Sequence, residues 1–362
     1  MSFTFSPATT EAEKILLSEV GQQKAPMVQY RYFNRDYIIY ASNNGYADLS
    51  TRMKADDNTS FNAYSLTKTF TAVAVLQLAQ QGLLDLDKPV IQYLSHAEVW
   101  PTVTIRQLLS HTAGIGNPMP LKWIHTVEEH SSFDQATFNA GILKKKVLQK
   151  NNPGNKMAYS NLGYILAGLV VEAVSGLSYE QYITENIIHQ LPIESRQLSF
   201  TIPHPLLHAT GYHSRYSISG MMLGLLLDKK KYTGTPVGKW LPFKPNYVNG
   251  AAYGGLIGTA NAFVAFGQAL LKENGLLLSP TYKEIMFNEQ KLPSGKPTGM
   301  SLSWFTGTCN GKEYRMHPGG GGGYYCELRL YPALKTGSFI VFNRSGFSNE
   351  RYLDRRDPYF LL

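Results

Sequence analysis

Cysteine is scarce in this sequence, which has Cys309 and Cys326 as its two thiols in 362 residues. Two cysteines are too few for a disulfide scaffold in a chain of this length and too few for a structural zinc cluster, so we expect two free thiols and no metal. Long hydrophobic runs are also missing, because Glu172 interrupts YILAGLVVEAV and Gly224 interrupts MMLGLLL well short of about 18 residues. The sequence therefore predicts no membrane span.

Charged residues are few as well, at 17% of the chain, whereas hydrophobic residues make up 43%. This balance excludes intrinsic disorder and leaves enough apolar side chains for a sizeable core. The net charge of +8 comes from basic residues that are scattered along the chain except at Lys144–Lys146 and Lys229–Lys231. Because such short clusters are typical of solvated surfaces, we expect no nucleic-acid partner.

The N-terminal stretch MSFTFSPATTEAEKILL has neither the basic n-region nor the apolar h-region of a signal peptide. The sequence thus predicts a cytoplasmic protein, or a periplasmic one if a leader has been removed. Thr10 and Glu13 have the spacing of a capping box, which predicts a helix over residues 11–20. The runs MVQYRYF and YIIYASN, on either side of Asn34–Asp36, predict a β-hairpin.

The segment from Ser65 to Gly82 predicts a helix that is apolar nearly all round and therefore lies at the centre of the protein. Further along the chain, three capping boxes and a glycine at a helix end indicate successive helices. These signals are Thr104 with Gln107, Ser132 with Gln135, Ser178 with Gln181, and Gly176. We therefore expect an inserted all-helical lobe over residues 96–241.

After Pro242 the chain becomes rich in glycine and then in strand patterns. Thr259 is the predicted N-cap of a helix, and Asn310-Gly311 is the dipeptide most favoured in a type I′ hairpin. The segments YYCELRLYP and GSFIVFN follow as strands. The pattern predicts an α+β fold in which helices flank an antiparallel sheet built from both chain ends. Residues 1–95 and 242–362 would form this α/β lobe, with an active site between it and the helical lobe.

Ser65-Leu66-Thr67-Lys68 is the one S-x-x-K sequence in the chain. Residues three apart share a helix face, so the serine hydroxyl would lie beside the lysine amine while the serine N–H points out of the helix N-terminus. A desolvated lysine can accept the serine proton, and the free N–H can stabilise an oxyanion. The pattern alone is weak, because it arises by chance about once in a chain this long. An ordinary capped helix with a surface lysine is the alternative.

Tyr159-Ser160-Asn161 stands at the start of a predicted helix that ends at Gly176. A phenol there can exchange protons with a serine and a leaving group, and the asparagine amide can hold a substrate carbonyl. Tyr247-Val248-Asn249 has the same Y-x-N pattern but lies in a Pro- and Gly-rich stretch with no helix start after it. We therefore favour the first match, with packing and N-capping as its structural alternative.

His317-Pro318-Gly319-Gly320 follows the strand after the Asn310-Gly311 turn. Glycines in an edge strand let a substrate backbone approach, and the Gly320 N–H is a candidate second oxyanion donor. No G-K-[ST] and no Rossmann spacing accompanies Gly319–Gly323, so we expect no nucleotide cofactor, and none of another kind is predicted. A flexible hairpin loop beside a surface histidine is the alternative.

In this order the three motifs resemble the β-lactamase-related serine hydrolases, which include class C β-lactamases, D,D-peptidases, D-amino-acid amidases and esterases of the same fold. The resemblance extends from the hairpin before Ser65 to Asn343. It includes TIRQLLSHTAGI, NKMAYSNLGYILAGLVVEAVSG, YGGLIGTANAFVAFGQALL and HPGGGGGYYCELRLYP. These segments imply a β-lactamase/transpeptidase-like fold for most of the chain.

The resemblance also implies roles for the motif residues. Ser65 would be the acylated nucleophile, and Lys68 and Tyr159 the proton-transfer pair. The substrate-binding residues would be Asn161, His317, Gly319 and Gly320, and the oxyanion hole would consist of the N–H groups of Ser65 and Gly320.

His317 departs from the pattern, because β-lactamases and D,D-peptidases of this family usually carry a lysine whose cation meets the substrate carboxylate. Histidine is mostly neutral at about pH 7. The sequence therefore favours a carboxylesterase-like serine hydrolase that acts on small ester or amide substrates through an acyl-enzyme. β-Lactamase, D-alanyl-D-alanine carboxypeptidase and D-aminopeptidase activities are the alternatives. The acyl group, the leaving group, the general base and the oligomeric state stay open.

Other functional classes have less support. G-x-S-x-G and H-E-x-x-H are both absent, which excludes an α/β-hydrolase nucleophile elbow and that type of zinc protease. The histidines of HTVEEH, His125 and His130, miss the zinc-helix spacing and predict a solvated helix face, while His111 is predicted to be structural. A non-catalytic penicillin-binding or sensor protein is the further alternative.

Overall fold

The computed structural model describes residues 7–95, 97–117, 123–144, 151–217, 227–273, 275–345 and 352–361. Its α-helices are α1 (Pro7–Gly21), α2 (Thr67–Gln80), α3 (Ile105–Leu109), α4 (Gln135–Lys144), α5 (Asn161–Ser175), α6 (Tyr179–Asn186), α7 (Lys229–Tyr232), α8 (Ala251–Gly254), α9 (Ala260–Leu271) and α10 (Pro280–Phe287). Its strands are β1 (Met27–Asn34), β2 (Ile38–Asp48), β3 (Met53–Lys54), β4 (Ser60–Asn62), β5 (Ile124–Thr126), β6 (Leu198–Ser199), β7 (Tyr212–Ser214), β8 (Trp240–Pro242), β9 (Asn246–Val248), β10 (Ile257–Thr259), β11 (Phe305–Cys309), β12 (Lys312–Gly321), β13 (Tyr324–Tyr331) and β14 (Thr336–Phe342).

The main sheet joins both ends of the chain. Its order is β11-β12-β13-β14-β1-β2-β3, and the paired strands are antiparallel. The N-terminal and C-terminal strands meet where β1 pairs with β14, with Val28 opposite Phe342. The predicted antiparallel sheet from both chain ends, including the β1–β2 hairpin, is confirmed.

The turn between β11 and β12 has the predicted chemistry. Asn310 and Gly311 both have positive φ angles, of 51° and 74°. A type I′ turn requires positive φ at both central positions, and Asn and Gly tolerate that conformation best. This turn sets the register of β12, in which Lys312 lies opposite Cys309 and Met316 opposite Phe305. The same register brings the third motif to its position in the sheet.

Helix α2 lies in the core, as its apolar sequence predicts. Apart from Gln77 and Gln80 its residues are buried, and Phe70 stacks on Phe266 of α9 with ring centroids 3.7 Å apart. A 3-10 turn, Tyr64–Leu66, precedes the α-helix, so Ser65 lies on that turn and not within α2 itself. Ser65 therefore lies at the N-terminal end of the central helix, and Lys68 is buried in the core.

Residues 96–241, which are predicted to form a helical lobe, contain α3 to α7 and also short strands that the sequence patterns do not indicate. Strand β5 pairs with β9, and β7 pairs with β8. These strands have three residues each, so they are too short to produce a visible alternation of polar and apolar residues. The boundaries at residues 96 and 241 stay a prediction.

Two predicted capping boxes are wrong. Helix α1 begins at Pro7, which places Thr10 and Glu13 inside the helix, where Glu13 accepts hydrogen bonds from Tyr40 and other β2 side chains. Ser132 donates to the Glu129 carbonyl and does not cap α4.

Asp134 accepts from the Ala136 N–H and takes the capping position of α4 instead. The other two predicted caps form, with Thr104 accepting from the Gln107 N–H and Ser178 from the Gln181 N–H. Thr259 caps α9, and Gly176 ends α5 with φ 75°.

Among the described residues, no single helix has the length and apolar composition to cross a membrane, although α5 and Tyr179–Gln190 meet that test together while bent by 74°. The basic cluster Lys144–Lys146 and the apolar run MMLGLLL fall largely outside the described residues. The second basic cluster, Lys229–Lys231, forms most of α7.

Candidate active site

Ser65 is the partly exposed residue in a buried stretch, since residues 60–64 and 66–70 are all buried. Tyr64, directly before it, has a φ of 46°, a left-handed conformation that costs a non-glycine residue about 1–2 kcal/mol. The Tyr64 hydroxyl donates to the Gly322 carbonyl at 3.2 Å and helps to fix this conformation. The strained turn therefore directs Ser65 out of the core.

Lys68 lies one turn further along and contacts three oxygen atoms. Its Nζ is 3.1 Å from Ser65 Oγ, 2.8 Å from Asn161 Oδ1 and 2.8 Å from the Tyr253 carbonyl oxygen. The i, i+3 spacing of the motif brings the first contact, and helices α5 and α8 supply the other two. The predicted Ser65–Lys68 pair thus lies within hydrogen-bond distance.

The surroundings of Lys68 are aromatic and contain no carboxylate partner among the described residues. The side chain is 0% exposed. The rings of Tyr159, Tyr164 and Tyr253 lie 4.9, 5.5 and 5.2 Å from its Nζ. Because burial penalises the charged amine and no anion compensates for it, the pKa of Lys68 is well below 10.5.

Tyr159 faces both members of this pair. Its side chain hydrogen-bonds Ser65, and its ring lies over Lys68 Nζ. Burial raises the pKa of Tyr159, and the Ser65 hydrogen bond offsets only part of that effect. The phenol therefore stays protonated at neutral pH.

Asn161 occupies the first turn of α5, where the sequence predicts a helix start. Ser160 is the N-cap residue, and its hydroxyl accepts from the Gly163 N–H at 3.1 Å. The Asn161 N–H donates to Asn117 Oδ1 at 3.0 Å. The cap fixes the helix N-terminus and hence the direction in which Asn161 Oδ1 meets Lys68.

The third motif lies inside β12, which continues to Gly321, and not at the end of the strand. β11 pairs only with Lys312–Met316, so from His317 onwards β12 has β13 on one side and no β11 on the other. The 3-10 turn before α2 packs against this segment. A Cβ added to Gly319 would lie 1.9 Å from the Ala63 carbonyl oxygen, whereas one added to exposed Gly320 would meet nothing nearer than 3.5 Å. Glycine at position 319 is therefore required for the strand to reach the Ser65 turn.

His317 is fully buried, at 0% exposure, which contradicts the alternative of a surface histidine in a loop. Its Nδ1–H donates to the Pro318 carbonyl at 2.7 Å, while its Nε2 has no hydrogen-bond partner in the described structure. Burial, reinforced by the Lys68 charge, lowers the pKa of His317 to about 3. Position 317 thus holds an uncharged ring.

The second Y-x-N match lies in a different environment. Tyr247 lies in strand β9, and its ring packs on His130 at 4.3 Å. His125 bonds Asn249 and His130, so the HTVEEH segment forms a local aromatic cluster and not an exposed helix face. His125, His130 and Tyr247 line a cavity of about 1140 Å³ whose lining includes none of Ser65, Lys68 and Tyr159.

Two contacts of the site were not predicted from the sequence. The Tyr253 carbonyl accepts from Lys68, and a backbone acceptor has no sequence signal. His111 contacts Tyr159 with ring centroids 4.2 Å apart, and its place in LLSHTAGI was the one available indication.

The Beta-lactamase family model matches residues 13–358, which is nearly the whole chain. This protein belongs to the Beta-lactamase family. The predicted resemblance and the predicted β-lactamase/transpeptidase-like fold are thereby confirmed. The family consists of serine hydrolases, and the matched residues include every strand of the main sheet.

Curated relatives match parts of this Beta-lactamase family chain. Protein flp of Staphylococcus aureus (strain MW2) is 31% identical over 184 residues, which is 49% of this chain and 34% of that protein. Penicillin-binding protein 4* of Bacillus subtilis (strain 168) is 26% identical over 308 residues, 81% of this chain and 63% of that protein. The chain thus spans less than two thirds of the length of these relatives.

Solved structures share the fold over almost the full length. The octameric penicillin-binding protein homologue from Pyrococcus abyssi has a TM-score of 0.78 at 22% identity, covering 98% of this chain and 77% of that one. The D-amino acid amidase from Ochrobactrum anthropi SV3, complexed with D-phenylalanine, has a TM-score of 0.78 at 19% identity and covers 97% of this chain and 98% of that one.

Proposed function

We propose that this protein is a serine hydrolase that acts through an acyl-enzyme on small esters or amides and is most like a carboxylesterase. The observation that carries the proposal is the set of contacts around Lys68. A neutral amine has two N–H donors and one lone pair, and the Asn161 and Tyr253 oxygens accept the two donors. The lone pair is then left for the Ser65 hydroxyl at 3.1 Å.

The two opposite pKa shifts assign the proton acceptor and the proton donor of the acylation step. Ser65 Oγ forms a bond to the acyl carbon while its proton passes to Lys68, whose lowered pKa makes it the base. Tyr159, whose pKa is raised, carries the proton that the departing alcohol or amine requires, and the proton on Lys68 replaces it. The acyl–oxygen or acyl–nitrogen bond breaks, and the acyl group remains on Ser65.

The negative charge that develops on the acyl oxygen needs hydrogen-bond donors. We assign them to the N–H groups of Ser65 and Gly320, because the glycine segment of β12 packs against the Ser65 turn. The Asn161 Nδ2 group would hold the substrate amide or ester carbonyl, since its Oδ1 is already used by Lys68. Water then attacks the acyl-enzyme, and Lys68 and Tyr159 transfer protons in the opposite direction.

The substrate class follows from the third motif. At position 317 the site offers a buried, neutral histidine where a cation would attract a substrate carboxylate. Charge-assisted hydrogen bonds are about twice as strong as neutral ones, so a substrate gains little from carrying that carboxylate here. We therefore place neutral esters and amides ahead of β-lactams and of peptides that end in a free carboxylate.

One purified sample tested on a substrate panel decides this proposal. The panel contains p-nitrophenyl esters of increasing chain length, D-amino-acid p-nitroanilides, a D-alanyl-D-alanine peptide and nitrocefin. The expected order in kcat/KM is short esters first, with nitrocefin and the D-alanyl-D-alanine peptide last. A higher kcat/KM for either of those two would reject the carboxylesterase assignment in favour of β-lactamase or carboxypeptidase activity.

The same assay separates an enzyme from a sensor. A sensor would release one equivalent of p-nitrophenol per active site and then stop, because its acyl group stays on the serine. We expect steady release after any burst. Tyr247→Phe is the matched control for Tyr159→Phe, because it removes the same hydroxyl from another Y-x-N sequence and should leave the rate unchanged.

A further inference from the structure

His111 holds the residues on both sides of Tyr159. Its carbonyl oxygen accepts from the Ala158 N–H at 2.7 Å, and its side-chain Nδ1 accepts from the Ser160 N–H at 3.2 Å. Its ring lies against the Tyr159 ring, with centroids 4.2 Å apart. One residue thus fixes the backbone before and after Tyr159 and also one face of the phenol.

Few residue types could make these contacts from position 111. The backbone there has a φ of 57°, which Asn, Asp and His tolerate better than other residues that carry a side chain. An acceptor two bonds from Cβ is needed to reach the Ser160 N–H, and His, Asn and Asp each have one. Of the three, only histidine also supplies a flat ring for Tyr159, and aspartate would add a negative charge beside it.

The charge state of His111 matches this role. Its side chain is 1% exposed, and burial lowers its pKa well below 6.5, with Lys68 of α2 and His317 of β12 adding repulsion. A protonated imidazole carries hydrogens on both nitrogens and could not accept from Ser160. The contacts therefore require neutral His111 with its proton on Nε2.

We propose that His111 is a positioning residue that holds Tyr159 in line with Ser65 and Lys68. This inference rests on the proposed function, because it assumes that Tyr159 transfers protons during acylation. His111 itself touches neither Ser65 nor Lys68 within hydrogen-bond distance among the described contacts, so it acts through Tyr159. Its loss should change kcat more than KM, since substrate binding uses other groups.

The test is a double-mutant cycle with His111→Asn and Tyr159→Phe, assayed on the best ester. Asparagine fits the positive φ and keeps an acceptor near Nδ1, so the variant chiefly loses the ring contact. We expect kcat to fall by roughly tenfold to a hundredfold with little change in KM. In the Tyr159→Phe background the same change should have almost no further effect on kcat, because the hydroxyl that it positions is gone.

Each outcome has a distinct meaning. If the two losses in kcat multiply, or if His111→Asn leaves kcat intact, the positioning role is wrong while the hydrolase proposal stands. If Ser65→Ala retains full activity, the proposed function itself fails.

His213→Asn is the matched control for His111→Asn, because His213 is also buried with a lowered pKa but lies in β7. It should keep kcat even if it lowers the melting temperature.

A second measurement uses the unaltered chain and does not depend on the variant folding. Long-range ¹H–¹⁵N correlation spectra report which imidazole nitrogen carries the proton. We expect His111 to be neutral with its proton on Nε2 at about pH 5, where an exposed histidine is charged. A charged His111, or a proton on Nδ1, would remove the acceptor for Ser160 and overturn the proposal.

Discussion

The chemistry of a single lysine is decided here by its surroundings. Lys68 has lost the water that would stabilise its charge, and its described neighbours provide carbonyl oxygens and aromatic rings but no carboxylate. Partial burial has the opposite consequence for Tyr159, because its charged form is the anion. One desolvated site thus lowers the pKa of a base and raises that of an acid.

This difference predicts the pH dependence of hydrolysis. The proposed mechanism needs neutral Lys68, so kcat/KM should rise as pH increases through the lowered Lys68 pKa and should be lost as pH falls below it. The raised Tyr159 pKa predicts no alkaline decline up to about pH 10. A pH profile with a neutral ester tests both limbs. A rise that begins only near 10.5 would mean that burial does not tune Lys68.

Tyr159 and Tyr247 provide a second residue-scale test. Tyr159→Phe should lower kcat by roughly 10² to 10⁴, the span of general acid–base catalysis, and should leave the melting temperature nearly unchanged. Tyr247→Phe removes the same oxygen from strand β9 and should have little effect on kcat. Steady-state kinetics of both variants measure this, and a greater loss for Tyr247→Phe would show that the motif has been placed wrongly.

At the scale of elements, the active site depends on how closely β12 approaches the turn before α2. The sequence predicts β12, its Asn310-Gly311 turn and the helix of Lys68 from local patterns. It does not predict that Gly319 faces the Ala63 carbonyl, because that contact joins residues distant in the chain. The caps at Thr10 and Ser132 fail for local reasons, because α1 already begins at Pro7 and because Asp134 accepts from the first N–H groups of α4.

Gly319→Ala tests this approach. Its Cβ would lie 1.9 Å from a backbone oxygen that cannot rotate away, so the strand or the Ser65 turn must move. A displacement of about 1 Å at a reacting group can lower the rate by 10²-fold, and we expect a loss of that order in kcat. Gly141→Ala is the control, because its Cβ meets nothing within 4 Å. Equal activity of the two variants would argue against close packing at Gly319.

At the scale of the whole molecule, the N-terminal and C-terminal parts of the chain pair with each other in the main sheet. Composition and strand patterns predict a sheet from both chain ends. The antiparallel pairing of β1 with β14 forms this sheet. The sequence does not predict how residues 352–361 attach. Buried ion pairs hold this segment, including Arg356 with Glu19 of α1 at 2.9 Å, and pairs so far apart in the chain have no sequence signal.

Arg356→Ala should therefore destabilise the protein strongly. The guanidinium is 0% exposed and Glu19 only 5%, so its removal leaves a buried carboxylate without a partner and should cost about 3–5 kcal/mol. Arg196→Ala breaks a pair whose side chains are 69% and 65% exposed and should cost less than about 1 kcal/mol. Urea denaturation measures both. Similar midpoints for the two variants would show that the C-terminal segment contributes little.

The central claim is that Ser65 carries the acyl group. Intact-protein mass spectrometry after treatment with a fluorophosphonate tests it most directly, because the reagent traps the activated serine as a stable adduct. We expect one adduct per chain, mapped to Ser65 by peptide sequencing, and neither adduct nor hydrolysis in Ser65→Ala. An adduct on another residue, or Ser65→Ala with normal turnover, would contradict the account.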